Sequence, residues 1–168
     1  ATRSTCMRGT LRLHLADPIA PVRSVALLDT ILLAGQLSGL EAQARALVGD
    51  LRMRIDSVRR RVAGRPRPRV ASLEWLDAIY VGGHLVPEMV EIAGGADVLG
   101  KPGEPSFVAE WEDVTGAHPD VIVLMPCGFD LPRARQEAHL MSGRPGWQEL
   151  EPARRGRVYL TDGRLAES

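Results

Sequence analysis

From Gly39 onward, Leu40, Ala44, Leu47, Val48, Leu51, Ile55, Val58 and Val62 recur at steps of three and four. That spacing draws one apolar stripe along an amphipathic helix. Asp50 with Arg54, and Asp56 with Arg60, fall four apart on the wet side, where opposite charges support a helix. The pattern predicts a long helix within 39–64 that runs some 24 residues, or roughly 36 Å at the α-helical rise. "GRPRPR" ends it, because Pro66 and Pro68 cannot continue a helix and bias the residues before them to extended geometry. The first half of the chain is mostly helix, beginning after the alternating "LRLHL" and the turn residues Pro18 and Pro21. After Val70 the period changes. "VASLEW" reads as a strand, "PEMVEIAGG" as a helix opened by Pro87 and closed by Gly94, and "WEDVTGAHP" as a short helix. "DVIVLM" reads as a buried strand, "LPRARQEAHLM" as a helical stretch and "RVYLTD" as a final strand. Strands alternating with helices predict an α/β lobe of three layers, its central sheet mostly parallel and covered on both faces.

Ligands of such sheets bind outside the carboxyl ends of the strands. Three loops leave strands there: "WLDAIYVGG", "PCGFD" and "TDGRLAES". They are expected to cluster on one edge. All seven aromatic residues lie after position 70, and Trp75, Tyr80 and Phe129 fall in the first two of these loops. An isolated aromatic commonly caps a core. Phe129, flanked by Gly128 in a loop, lacks obvious packing partners, and the three together read as a ligand wall.

Composition narrows the classes. The 168 residues fit one globular domain, and Lys plus Arg equals Asp plus Glu at 21 each, so no global basic field argues for nucleic acid or an anionic membrane. Cys6 and Cys127 are too few for a disulfide framework and lack zinc-site spacing. "SVALLDTILLAG", interrupted by Asp29, is far shorter than the ~20 residues of a bilayer span. "ATRSTCMRGT" has no secretory hydrophobic core, so no signal peptide is read in the chain.

The polar candidates carry weaker logic. His84, Glu88 and Glu91 sit at i, i+4 and i+7, a face that can meet a metal, but Pro87 puts His84 at or before the helix start and no second histidine follows in register. His14, His118 and His139 are scattered. "VGGH" between strand and helix invites a phosphate-cradle reading without either nucleotide fingerprint. Cys127 stands where a nucleophile or soft ligand works, yet a packing or ligand-contact role needs fewer assumptions. Glu112 beside Trp111 either complements a helix dipole or offers a docking charge for a basic partner. With no Ser-His-Asp or paired-carboxylate constellation, the residues argue for binding rather than turnover. The rival from another class is a chelatase-like enzyme using His84, Glu88 or Cys127; a third reading makes the long helix a dimer seam.

The run "LEWLD…VGGH…VPEMVEIAGGADVLG…WEDV…HPDVIVLMPCGFD…GRVYLTDG" resembles the substrate-binding proteins of ABC importers for cobalamin and related metal chelates. The likeness extends from about residue 11 to the end and is most specific after Val70. It implies a Rossmann-like C-terminal lobe at 69–168, a rigid interlobe helix at 39–64, and at 1–38 a remnant of the N-terminal lobe with a leading helix. By the resemblance, Trp75, Asp77 and Tyr80 line the ligand cleft from one loop, Cys127, Gly128 and Phe129 from the next, and Asp162 from the last. Glu112 falls where the family meets arginines of the permease. The resemblance further implies a transported cobalamin, with haem or an iron-siderophore as the alternative, no catalytic residue, no cofactor, and a periplasmic or extracellular place near the membrane through the permease alone.

Overall fold

The computed structural model describes residues 24–163. Cys6, His14 and the alternating "LRLHL" lie outside the described residues. Two helices come first, α1 (Ser24–Ser38) and α2 (Glu41–Val62). Gly39 turns between them with φ +72°, and the Leu40 N–H closes the end of α1 by donating to the Gly35 carbonyl at 2.8 Å. A side chain at Gly35 would run into Ala44 Cβ, so this glycine lets the helices cross closely. α2 is 22 residues long, within two residues of the predicted span at each end. Asp56 pairs with Arg59 at 3.4 Å rather than with Arg60, because three residues also bring side chains together on a helix. Among the described residues no helix is long and apolar enough to cross a membrane.

The rest of the chain builds a six-stranded sheet. Its strands are β1 (Arg69–Leu76), β2 (Ile79–Val81), β3 (Ala96–Asp97), β4 (Phe107–Val108), β5 (Val121–Leu124) and β6 (Val158–Leu160). The order is β4-β2-β1-β5-β6, with β3 beside the start of β1. β1 runs parallel to β3 and β5, and β5 parallel to β6. β2 and β4 run antiparallel at one edge. Val70, Ala71, Ser72 and Leu73 are all buried in succession, which requires cover on both faces of β1. That cover comes from α3 (Val86–Ile92), α4 (Trp111–Gly116), α5 (Leu131–Glu137), α6 (His139–Ser142) and α7 (Glu151–Arg154), with a 3-10 turn at Trp147–Glu149. Trp111 and Trp147 stack at 6.0 Å between centroids, and the Trp111 indole donates to the Pro145 carbonyl. α3 also anchors the helical pair, since the Glu88 carboxylate accepts both the Ser24 N–H and its hydroxyl at 2.8 and 2.7 Å.

The segment "GGADVLG" is a packing device. Asp97 Oδ1 accepts the Leu99 and Gly100 N–H groups at 3.0 and 2.7 Å. Gly100 must lack a side chain because the Gly82 carbonyl and Pro87 occupy its Cβ position. Burial pushes the Asp97 carboxyl above its ordinary value, against the pull of the two N–H groups. The Ser72 hydroxyl turns toward the carboxylate without closing a full hydrogen bond, and Oδ2 has no partner among the described residues. A raised carboxyl adds stability below the unfolded-state value of 3.8 and loses it as pH rises through the folded one. Asp97→Asn, which keeps the acceptor without the charge, is therefore expected to match or exceed the native stability at pH 7, an advantage that shrinks on acidification toward pH 4. Asp97→Ala is expected to lose about 1–3 kcal/mol, because it strands two part-buried N–H groups. Urea unfolding of both variants at the two pH values checks the order.

Candidate functional site

The parallel strands β5 and β6 end at Leu124 and Leu160, level with Leu73 of β1, which runs on to Leu76, and the segments beyond them are stitched to one another. Cys127 donates its N–H to the Glu74 carbonyl at 3.0 Å, extending the β1–β5 ladder past the end of β5. Thr161 donates to Leu124, and Gly163 to the Phe129 carbonyl at 2.9 Å. Any side chain at Gly163 would collide with the Pro126 carbonyl, so glycine is what allows the last segment to lie against the Cys127 loop. The rim is thus a fixed surface built by sheet hydrogen bonding.

A bulge shapes its centre. Leu73 is opposite Val81 and Trp75 opposite Tyr80, so two steps along β1 match one along β2. The extra residue re-aims the strand end and sets Trp75 and Tyr80 side by side as a cross-strand pair. Tyr80 therefore belongs to a strand, where the sequence placed it in a loop; β2, β3 and β4 are three, two and two residues long, too short to show a period. Trp75 and Tyr80 keep 38% and 40% of their surface exposed. Phe129, half-buried, meets Trp75 at 5.2 Å between ring centroids with planes tilted by 59°.

Trp75 divides two hollows. One, about 250 Å³, is lined by Glu74, Trp75, Tyr80 and Cys127. The other, about 210 Å³, lies between Trp75, Asp77, Pro126, Phe129, Arg133 and Glu137. Both open to solvent, and each is smaller than the usual 300–1,000 Å³ of an enclosing ligand pocket. Arg133 lays its guanidinium 3.8 Å from the Phe129 centroid. Arg144 donates to the Leu76 carbonyl at 2.9 Å and stands 3.6 Å from Asp77. Gly128 is exposed at φ +72° and turns the loop, and Asp162 is half-buried on the segment that Gly163 ties to Phe129.

Sequence reasoning missed Glu74, Arg133, Glu137 and Arg144 here. Arg133 had a usable signal, four residues beyond Phe129 at the start of a helix. Glu74 had none, because the bulge that brings it to the hollow is invisible in the period. Glu112 sits apart, exposed in the first turn of α4, beside a shallow groove with Trp111, Thr115 and Glu149.

Two readings that the sequence offered only weakly find no support in the geometry. Gly82 and Gly83 form no phosphate cradle. Their neighbours' N–H groups are spent, Gly82 donating to Ser72, His84 to Glu104 and Val86 to Gly83. A Cβ on Gly83 would enter the Pro105–Ser106 backbone, so the pair exists for close packing. Gly83→Ala is accordingly expected to cost about 1–3 kcal/mol in denaturant unfolding. Millimolar phosphate should shift the midpoint of neither form. The helical metal face does not assemble either: His84 precedes α3 at φ +52°, and Glu88 is committed to Ser24. His84 lines neither hollow, which leaves it apart from Cys127.

A mostly parallel sheet with an aromatic rim at its carboxyl edge and a long leading helix is an α/β lobe of the kind found in periplasmic binding proteins. The chain belongs to the periplasmic binding protein family, whose profile matches residues 17–165. No curated protein matches it. Among solved structures it is similar to an ABC transporter substrate-binding protein from Listeria monocytogenes, at 22% identity over 86% of this chain and 57% of that one, with a TM-score of 0.76. It is also similar to an ABC-type Fe3+-hydroxamate transport protein from Saccharomonospora viridis, at 27% identity over 80% and 46% with a TM-score of 0.67. The haem complex of S. aureus IsdE matches at 20% identity over 81% and 54%, with a TM-score of 0.69. The chain thus spans about half the length of the structures it matches.

Proposed function

We propose that the chain is the C-terminal lobe of the substrate-binding component of an ABC importer, taking a bulky metal chelate against its carboxyl-edge rim. The observation that carries this reading is the wall made by Trp75 with Tyr80 on one side and Phe129 on the other, half-exposed at the sheet edge. Two open hollows separated by an indole suit a large, flat or globular ligand better than a small metabolite, which needs enclosure. Trp75, Tyr80 and Phe129 would supply stacking area, Cys127 and Gly128 a close floor, and Asp77 and Asp162 polar contacts at the margin. α2 would be the spacer to a second lobe that completes the cleft. Glu112, exposed on α4 and outside the hollows, is the proposed docking charge for arginines of a permease. Family membership supports a periplasmic or extracellular setting.

The cargo is cobalamin in the reading that the sequence resemblance favours. A haem or ferric-siderophore cargo has equal support from the neighbours, one of them an Fe3+-hydroxamate transport protein and another a haem complex. Titration of the chain with cyanocobalamin, haem and ferric hydroxamates, followed by quenching of tryptophan fluorescence, tests the proposal. Saturable quenching by cyanocobalamin supports the corrinoid choice, saturation by an iron chelate alone overturns it, and no saturation by any of them overturns the chelate reading.

A further inference from the structure

Among the described residues that line the two hollows, Arg133 alone carries a cationic side chain, and it stands in the second hollow with Trp75 and Phe129. That side chain is held at both ends. At its root Asp130 Oδ1 accepts the Arg133 N–H at 3.0 Å, which fixes the backbone where α5 begins. At its tip the guanidinium carbon lies 3.8 Å from the centroid of the Phe129 ring. Contact with an aromatic face holds a guanidinium through its charge and leaves its five N–H donors unspent. Glu137, one turn on, stands 3.8 Å from Arg133 Nη2, longer than a hydrogen bond, so it offsets part of the charge without taking a donor. No described residue accepts a hydrogen bond from the Arg133 side chain, which is 61% exposed. Arg144 differs: it is 24% exposed, donates to the Leu76 carbonyl and faces Asp77, so it braces the strand end.

We infer that Arg133 is the anion anchor of the rim, taking a peripheral carboxylate or phosphate of the chelate while the body of the chelate lies against Trp75. The inference rests on the chelate-binding reading and deepens it, because it names chelates with an acidic arm as the favoured cargo. Carboxylate and phosphate match the planar fork of a guanidinium at two points, where an ammonium offers only a point charge. Phe129 and Asp130 hold the side chain in place before any ligand arrives, so less rotamer freedom remains to be lost on binding. The weak hydration of a guanidinium lowers the cost of pairing at a half-covered wall.

Chelates that share one core and differ by an acidic arm test it on the full chain. The pairs are dicyanocobinamide phosphate with dicyanocobinamide, haem with its dimethyl ester, and N-succinyl with N-acetyl ferrioxamine B. In whichever pair binds, Arg133→Gln is expected to weaken the acidic member about tenfold and the acid-free member by less than about twofold. Arg133→Lys, which keeps the charge without the fork, should recover only part of that loss. Arg135→Gln removes the same charge from the same helix at a residue that lines neither hollow, and should leave both members within about twofold. An equal loss for both members in Arg133→Gln, no loss for either, full recovery in Arg133→Lys, or the same loss in Arg135→Gln overturns the inference and leaves the chelate reading standing. Saturable quenching by no member of any pair overturns both.

Discussion

Trp75→Ala is expected to weaken binding of whichever chelate the chain takes by tenfold or more, while the unfolding midpoint barely moves. The indole is 38% exposed, donates only to the Asp77 carbonyl at 3.1 Å and touches Phe129 on one edge. Its removal therefore leaves no buried cavity, and surface changes of that kind usually stay near 0.5 kcal/mol. In binding, however, Trp75 is the partition between both hollows. Central aromatic anchors cost about 2 kcal/mol or more when truncated, which is roughly thirtyfold in affinity. Equilibrium dialysis against the chelate, paired with a thermal melt, separates the two effects. Unchanged affinity would remove the wall from the account; a collapsed melt would make Trp75 a structural residue.

Leu73→Ala is expected to cause the largest loss of stability of any single substitution considered, about 2–5 kcal/mol. Leu73 is fully buried in β1, opposite Val81 on one side and Leu124 on the other. Its carbonyl also takes the Met125 N–H at 2.8 Å, the first step of the ladder that positions the Cys127 loop. The cavity would sit directly beneath the rim, so chelate binding should fall with stability. Small domains are stable by only about 5–15 kcal/mol, which makes such a loss a large share of the whole. Leu73→Ile, which nearly conserves volume, should cost less than about 1.5 kcal/mol. Denaturant unfolding with an unchanged slope gives both numbers, and an alanine variant within 1 kcal/mol of the native chain would place the core elsewhere.

The fold was legible where the pattern runs long. The stripe from Leu40 to Val62 became α2 nearly residue for residue, and "DVIVLM" became β5, because long apolar periods and buried runs constrain the backbone directly. Short edge elements were illegible: "IYV" and "FV" carry no period, so the β1–β2 bulge that pairs Trp75 with Tyr80 appears only when the strands are set side by side. The candidate rim was legible through its aromatics, since Trp75, Tyr80, Cys127 and Phe129 lie together at one sheet edge. Its charges were not, because Glu74 reaches the rim through that bulge and Glu137 and Arg144 through tertiary packing. The glycines of "VGGH" were ambiguous for the opposite reason. A glycine that admits a phosphate and one that admits a neighbouring backbone look alike in sequence, and here Pro105–Ser106 fills the space.

The wall at the carboxyl edge is tested most directly by the three indole N–H signals in a nitrogen-15 NMR titration with a diamagnetic chelate, cyanocobalamin or a gallium hydroxamate. Trp75 stands at the rim, whereas Trp111 and Trp147 stack on each other inside the fold. The account predicts that the Trp75 indole signal shifts and saturates while the other two hold their positions. Saturating shifts at Trp111 or Trp147 with Trp75 unmoved would contradict it.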